Sequence, residues 1–359
     1  MSASELETYL VSRPPDTSGA AGLPKQLADL KTALRKLETA VIPEGVSRIE
    51  SLNEQFDQFA ARVSLIVQVK SGKTALANGL LGLNGLLPSD VNPWTSGATS
   101  MHVNIAHPKG KKAIFQFFSQ DDWNTLVEDG GRIADLARKA KFDTKLSELT
   151  QQIKDMKRRT ETRLGRDFEV LLGNQHSFSE YDTDLIKRYV CLGEEDMLAE
   201  TEGRFADLTK SADLYLTSDD FGYPVTIAAT PGVNDPFLIR EAAPLDNLGT
   251  SHICVVVLSA HQALSTVDIG LMRIISSLKS EQIVVFVNRI DELSDPDPQI
   301  REIDAYIQGM LAQQNLPTGI PVIYGSALWA EAAIAGDLGV LTEDSVEALQ
   351  NVGTARTAR

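Results

Sequence analysis

Cys191 and Cys254 are the only cysteines in 359 residues, which excludes a disulfide framework. Cys254 lies inside Ile253-Cys-Val-Val-Val-Leu258, where a thiol reads as a small buried apolar group. Positive charge is also in deficit, with 34 lysines and arginines against 49 acidic residues and a formal net charge of −15. Such a field repels nucleic-acid phosphate and anionic headgroups, so nucleic acid is not an expected partner. No stretch reaches the ~18 apolar residues of a membrane-crossing helix, and the opening Met-Ser-Ala-Ser-Glu-Leu lacks the basic and apolar regions of a secretory signal. The expectation is a cytoplasmic chain that touches a membrane only peripherally, at its inner face. Aromatic residues are sparse at 6%, yet 43% of the chain is hydrophobic, enough for a sizeable core.

What is present divides the chain into segments. Residues 1–24 carry Pro14, Pro15, Gly19, Gly22 and Pro24 among small residues and read as a flexible lead-in. Over 25–60, Leu27, Leu30, Leu34, Leu37 and Val41 recur at spacings of three and four, and Val46, Ile49, Leu52, Phe56 and Phe59 repeat the stripe beyond Pro43 and Gly45. A two-helix hairpin follows, its stripes packing on helices of the same fold or in a coiled coil with another chain. From Val63 onward, β-branched runs alternate with helical stretches, with strands expected at 63–67, 101–105, 113–117, 225–228, 253–258, 283–287 and 322–324. That alternation predicts an α/β fold over 61–335, a mostly parallel sheet covered by helices on both faces. Residues 121–212 form an insertion too long for a loop. It reads as helical from Leu146, Leu149, Ile153, Met156 and Leu164, and again from Leu185, Ile186 and Tyr189. A helix near 345–350 and a frayed tail complete 336–359.

The strand at 63–67 leads into Lys70-Ser71-Gly72-Lys73-Thr74-Ala75 and then helical Leu76-Ala-Asn-Gly-Leu-Leu81, the strand–turn–helix setting of a P-loop. Backbone N–H groups around Gly72, from Ser71 to Ala75, would cradle phosphates at the helix N-terminus. Lys73 would place its ammonium on the β- and γ-phosphates, and the Thr74 hydroxyl would bind Mg²⁺. Asn288-Arg289-Ile290-Asp291 closes the strand at 283–287. It matches the Asn/Thr-Lys-x-Asp element, whose carboxylate accepts the two guanine N–H groups and whose asparagine braces the loop. Ser326-Ala327 follows the last strand, where a backbone N–H meets guanine O6, and Thr230-Pro231-Gly232 follows the strand at 225–228. The elements come in the order of a P-loop GTPase fold. GTP or GDP with Mg²⁺ is the implied ligand; Asn288 and Asp291 disfavour the alternative, an ATP-using kinase or ATPase.

The stretches Leu86-Leu-Pro-Ser-Asp-Val-Asn-Pro-Trp-Thr95, Thr230-Pro-Gly-Val-Asn-Asp-Pro236 and Asn288-Arg-Ile-Asp-Glu-Leu293 make residues 25–335 resemble the G domain of bacterial dynamin-family GTPases. The resemblance implies GTP hydrolysis coupled to self-association through the G domain and to membrane remodelling or scaffolding. It also implies that Thr95, with Thr99 in reserve, reaches Mg²⁺ and the attacking water. Residues 25–60 are similar to the family's neck bundle, whose remaining helices follow the G domain. Lys70 stands where some relatives place an internal arginine finger and others a residue holding a monovalent cation; a solvated lysine is the plain alternative.

Three features depart from the family pattern. Val67 stands where the P-loop opens with glycine, and Ala229 where an aspartate holds Mg²⁺ through water. A residue forced to positive φ costs about 1–2 kcal/mol, and less if it only ends the strand. The missing carboxylate bears on hydrolysis more than on binding. Little sequence follows the G domain, so a stalk and membrane-contacting tip would come from elsewhere; a missing stalk partner or a peripheral membrane is implied. The rival reading is a pseudo-GTPase, a binding or interaction module that keeps the fold without efficient turnover.

Overall fold

The computed structural model describes residues 22–40, 43–57, 59–67, 71–83, 85–88, 98–129, 146–191, 203–219, 221–229, 250–262, 264–278, 283–317 and 319–357. The described residues open with α1 (Leu23–Ala40) and α2 (Pro43–Asp57). Pro43 heads α2 rather than sitting in the turn, because a first-turn proline forfeits no intrahelical bond. Leu34 and Ile49 are buried, and Lys31 lies 5.6 Å over the Phe56 ring, so the helices pack on each other. Leu30, Leu37 and Leu52 on the same pair stay exposed.

Nine strands among the described residues form one sheet: β1 (Ala61–Val67), β2 (Ala98–Val103), β3 (Ala113–Phe117), β4 (Gln175–Phe178), β5 (Thr209–Leu216), β6 (Val225–Ala229), β7 (Ile253–Ser259), β8 (Ile283–Asn288) and β9 (Val322–Tyr324). Their order is β4-β3-β5-β2-β6-β1-β7-β8-β9. The block β6-β1-β7-β8-β9 is parallel throughout. β2 joins it antiparallel to β6; β5 runs parallel to β2, β3 antiparallel to β5, and β4 antiparallel to β3. All seven strands expected from the sequence are present. The insertion expected to be helical holds α4 (Gln120–Asp129), α5 (Leu146–Leu164), α6 (Asp167–Leu171) and α7 (Thr183–Val190), but it also contributes β4 and the start of β5.

After β1 comes α3 (Lys73–Leu81); later helices are α8 (Thr266–Leu278), α9 (Pro296–Gln313), α10 (Ala327–Ala335) and α11 (Glu343–Thr357). Successive strand residues point to opposite faces, and the core divides accordingly. Leu65, Ala229 and Val257 pack with Leu76, Ala77 and Leu81 of α3. Ile66, Val256 and Leu258 pack with Met272 and Ile275 of α8, Ile307 and Leu311 of α9 and Trp329 of α10. Helices therefore cover both faces. α11 runs to Thr357, past the point where the sequence reading ends it, and is tied down by the Trp329 Nε1–H bond to Ser345 Oγ at 3.0 Å.

The mixed half has its own fixtures. His102 bridges three strands, Nδ1 at 3.2 Å from Thr226 Oγ1 and Nε2 at 2.9 Å from Asp213 Oδ1. On the other face Tyr189 of α7 stacks on Phe115 at 4.1 Å between ring centroids, and its hydroxyl lies 2.6 Å from His176 Nδ1. Burial pushes the Tyr189 phenol up to about 12 and holds His176 below its usual range, so at neutral pH this pair bonds as two uncharged groups. Among the described residues no helix is long and apolar enough to cross a membrane.

α3 and α10 approach each other closely: a Cβ built on Gly79 would stand 3.0 Å from the Ala330 Cβ. Gly79→Val should therefore lower unfolding free energy by about 1–3 kcal/mol through overpacking. Gly79→Val with Ala330→Gly should recover part of the loss. Urea unfolding of the three chains measures both; an unperturbed single variant would show that the helices are not in contact there.

Candidate nucleotide site

Parallel strands present their carboxyl ends on one edge, where α/β sheets hold ligands. The motif residues gather on that edge. Val67 ends β1 in register with Val257 of β7; its backbone is extended, so the positive-φ cost considered from the sequence does not arise. The chain re-enters the described residues at Ser71 and turns through Gly72, at φ 83° and ψ 36°, into α3. Glycine is required here twice over. Its φ is left-handed, and a Cβ would meet Asn288 Nδ2 at 2.5 Å. Gly72 has no side chain to cap α3, so the helix N-terminus keeps its N–H groups and partial positive charge directed toward an anion. Lys73, Thr74 and Ala75 form the first turn, and Ala75 packs against the apolar core, leaving only its backbone for a ligand.

Asn288 holds the edge together. Its side chain is buried, Nδ2 donating to Ser71 O at 2.7 Å and Oδ1 accepting from Ala327 N–H at 2.8 Å. Its own carbonyl accepts from Ala260 N–H at 2.9 Å. One residue thus ties the loop after β1, the end of β7 and the start of α10. The Ala327 N–H serves this brace, whereas the sequence reading offers Ser326 and Ala327 to a guanine carbonyl. Ser326 caps α10, its Oγ accepting from Trp329 N–H at 3.1 Å.

Beyond Asn288 the backbone turns at Arg289, φ 68°, into a 3-10 turn over Ile290–Glu292. Arg289 Nε donates to Glu292 Oε1 at 2.8 Å, and His261 Nε2 lies 2.7 Å from Glu292 Oε2. Asp291 is 5% exposed and, among the described residues, has no hydrogen-bond donor.

No cluster of three or more His, Cys, Asp or Glu among the described residues could hold a metal ion. Ala229 ends β6 as a buried methyl between Leu65 of β1 and Thr99 of β2. Thr74, in the first turn of α3, carries a hydroxyl that could serve as one oxygen ligand to Mg²⁺, with phosphate and water oxygens completing the shell. Thr99 is a buried strand residue opposite Ala229. Lys70, Thr95 and Gly232 lie outside the described residues.

No family profile matches the sequence. Dynamin-like protein 1 of Campylobacter jejuni subsp. jejuni serotype O:23/36 (strain 81-176) is 22% identical over 289 residues, covering 80% of this chain and 34% of that protein. Two solved chains come from an oligomerised bacterial dynamin pair that provides a mechanism for long-range sensing and tethering of membranes. They match 90% and 89% of this chain, with TM-scores of 0.59 and 0.60 and identities of 18% and 17%.

The chain resembles bacterial dynamin-like GTPases, and its fold is theirs. It spans 34% of the curated relative and 48% and 41% of the two solved chains. Within this dynamin-like fold, two contributions escaped the sequence reading: the Glu292 link to Arg289 and His261, and Asn78 on α3. Glu292 lies within the quoted stretch Asn288–Leu293, but its partner His261 sits on a separate loop, and Asn78 is a lone asparagine in an apolar helix. Gly72→Ala should lower unfolding free energy by about 1–2 kcal/mol from left-handed strain alone, before any displacement of Asn288. Urea unfolding checks this, and an unchanged midpoint would contradict the geometry at Gly72.

Proposed function

We propose that this edge binds GTP and GDP with Mg²⁺ and that the chain hydrolyses GTP, coupled to self-association through the G domain and to membrane remodelling or scaffolding. The observation that carries the reading is the Asn288 brace, which holds a phosphate-type loop and a base-type turn at one end of a parallel sheet. Lys73 neutralises phosphate charge, Thr74 holds Mg²⁺, and Ser71, Gly72 and Ala75 present backbone N–H groups. Asp291, carried on the turn after Asn288 and Arg289, accepts from the guanine N–H groups, and Ser326 and Ala327 close the base side. Thr95 joins Thr74 on the ion, Lys70 supplies positive charge in cis, and Gly232 contributes its N–H to the terminal phosphate. Peripheral contact with the inner face of a membrane is part of the same proposal.

The base assignment has a direct test. Asp291→Asn replaces an acceptor pair with one acceptor and one amide donor, and should move preference from guanine to xanthine nucleotides by about tenfold or more. Calorimetry with GDP and XDP reads this; retained guanine preference would reject Asp291 as the base reader.

Ala229 favours a second reading, nucleotide binding without efficient turnover. Its methyl sits in apolar packing where the family pattern has a carboxylate holding Mg²⁺. Ala229→Asp should destabilise the nucleotide-free chain, since burial penalises the charged form. With Mg²⁺ and nucleotide the carboxylate gains a partner, and turnover should rise by about tenfold or more. Melting with and without Mg²⁺·GDP, alongside steady-state GTP hydrolysis, separates the two effects. Equal hydrolysis by both chains would remove Ala229 as the cause of any deficit.

A further inference from the structure

Asn78 is fully buried on α3, one turn beyond Thr74. A primary amide there must place two N–H groups and a carbonyl or lose their hydration without return. All are placed, and none within its own helix. Oδ1 accepts from Leu87 N–H at 3.0 Å, while Nδ2 donates to Leu87 O at 2.8 Å and to Glu331 Oε1 at 2.8 Å. Leu87 lies on the segment that returns from α3, and Glu331 is on α10. The neighbouring residue is Gly79, whose missing side chain lets α10 come this close.

The two helices joined in this way begin at opposite ends of one candidate ligand. α3 starts at Gly72 and Lys73 on the phosphate side; α10 starts at Ser326 and Ala327 on the base side. Asn288 fixes their heads to each other. Apolar packing at Gly79 and Ala330 keeps the helices in contact but is non-directional, whereas a hydrogen-bonded tie further along fixes how they sit against each other. Asn78 is the second tie, and the only described atoms it uses on α10 belong to Glu331.

We propose that Asn78 is a positioning residue for nucleotide binding, which through Glu331 holds the phosphate-bearing and base-bearing helices at the spacing that one nucleotide bridges. The proposal rests on the guanine-nucleotide reading given above. A linked ligand gains affinity because its second half binds at high effective concentration, and that gain requires a fixed spacing between half-sites. Loss of the tie should therefore weaken the whole nucleotide and spare its parts.

The test compares the unaltered chain with Asn78→Ala, Glu331→Ala and Glu331→Gln, using GDP by calorimetry and guanosine and pyrophosphate by ligand-observed NMR. Asn78→Ala and Glu331→Ala should each weaken GDP by about tenfold, with guanosine and pyrophosphate changed by less than about twofold. Glu331→Gln should stay within about threefold of the unaltered chain for GDP, because its amide oxygen still accepts from Asn78. If Asn78→Ala does not fold by circular dichroism, Glu331→Ala decides, since Glu331 is half-buried and leaves both bonds to Leu87 intact. Equal losses for all three ligands, or unchanged GDP affinity in Glu331→Ala, would overturn the positioning role. An unaltered chain that binds no GDP would instead refute the nucleotide reading, and this inference with it.

Discussion

The side chain of Asn288 is the contact on which the site depends. It stands at the end of a buried parallel strand, where the backbone is rigid, and spends its amide on two chain segments far away in sequence. A buried amide in low dielectric is strongly held when all its groups are paired and costly when any is not. The loop after β1 and the start of α10 are thus fixed to each other through a strand rather than through flexible connections. Gly72 is the complement of this arrangement, since any side chain there would occupy the space of the asparagine.

The sheet divides the work between its halves. The parallel block carries the candidate site and is packed by apolar helices on both faces. The mixed half is cross-linked by polar groups on one face, with His102 spanning β6, β2 and β5, and by stacked rings on the other, with Tyr189 at their centre. Ala229 and Thr99 lie where the halves meet, paired across the antiparallel seam. Ala229, one of the positions that depart from the pattern of the resemblance, therefore sits at the join between the block that carries the candidate site and the insertion-bearing block.

Much of the fold was legible because strands buried on both faces are written as continuous β-branched runs, as in Ile253–Ser259 and Ile283–Asn288. β5 was not read, although Ala212, Leu214 and Leu216 alternate with Ser211, Asp213 and Tyr215. Its polar residues face the His102 cluster rather than a helix, and its first residues lie at the end of an insertion dominated by helical stripes. β4 is four residues of mixed polarity, too short for any period to show. At the candidate site, the pairing of Gly72 with Asn288 could be anticipated because each lies in a short motif of recognisable spacing directly after a strand. Asn78 could not, because its partners, Leu87 and Glu331, are chosen by packing between helices.

The two rims of the sheet are narrow. β4 contributes four residues and β9 three, so a foreign strand arriving at either side would find only a few rungs on which to register. A long, flat border invites continuous growth of sheet from molecule to molecule; a short one ends it. With short borders of this kind, crowding favours contacts made by folded surfaces over the fibrous alternative.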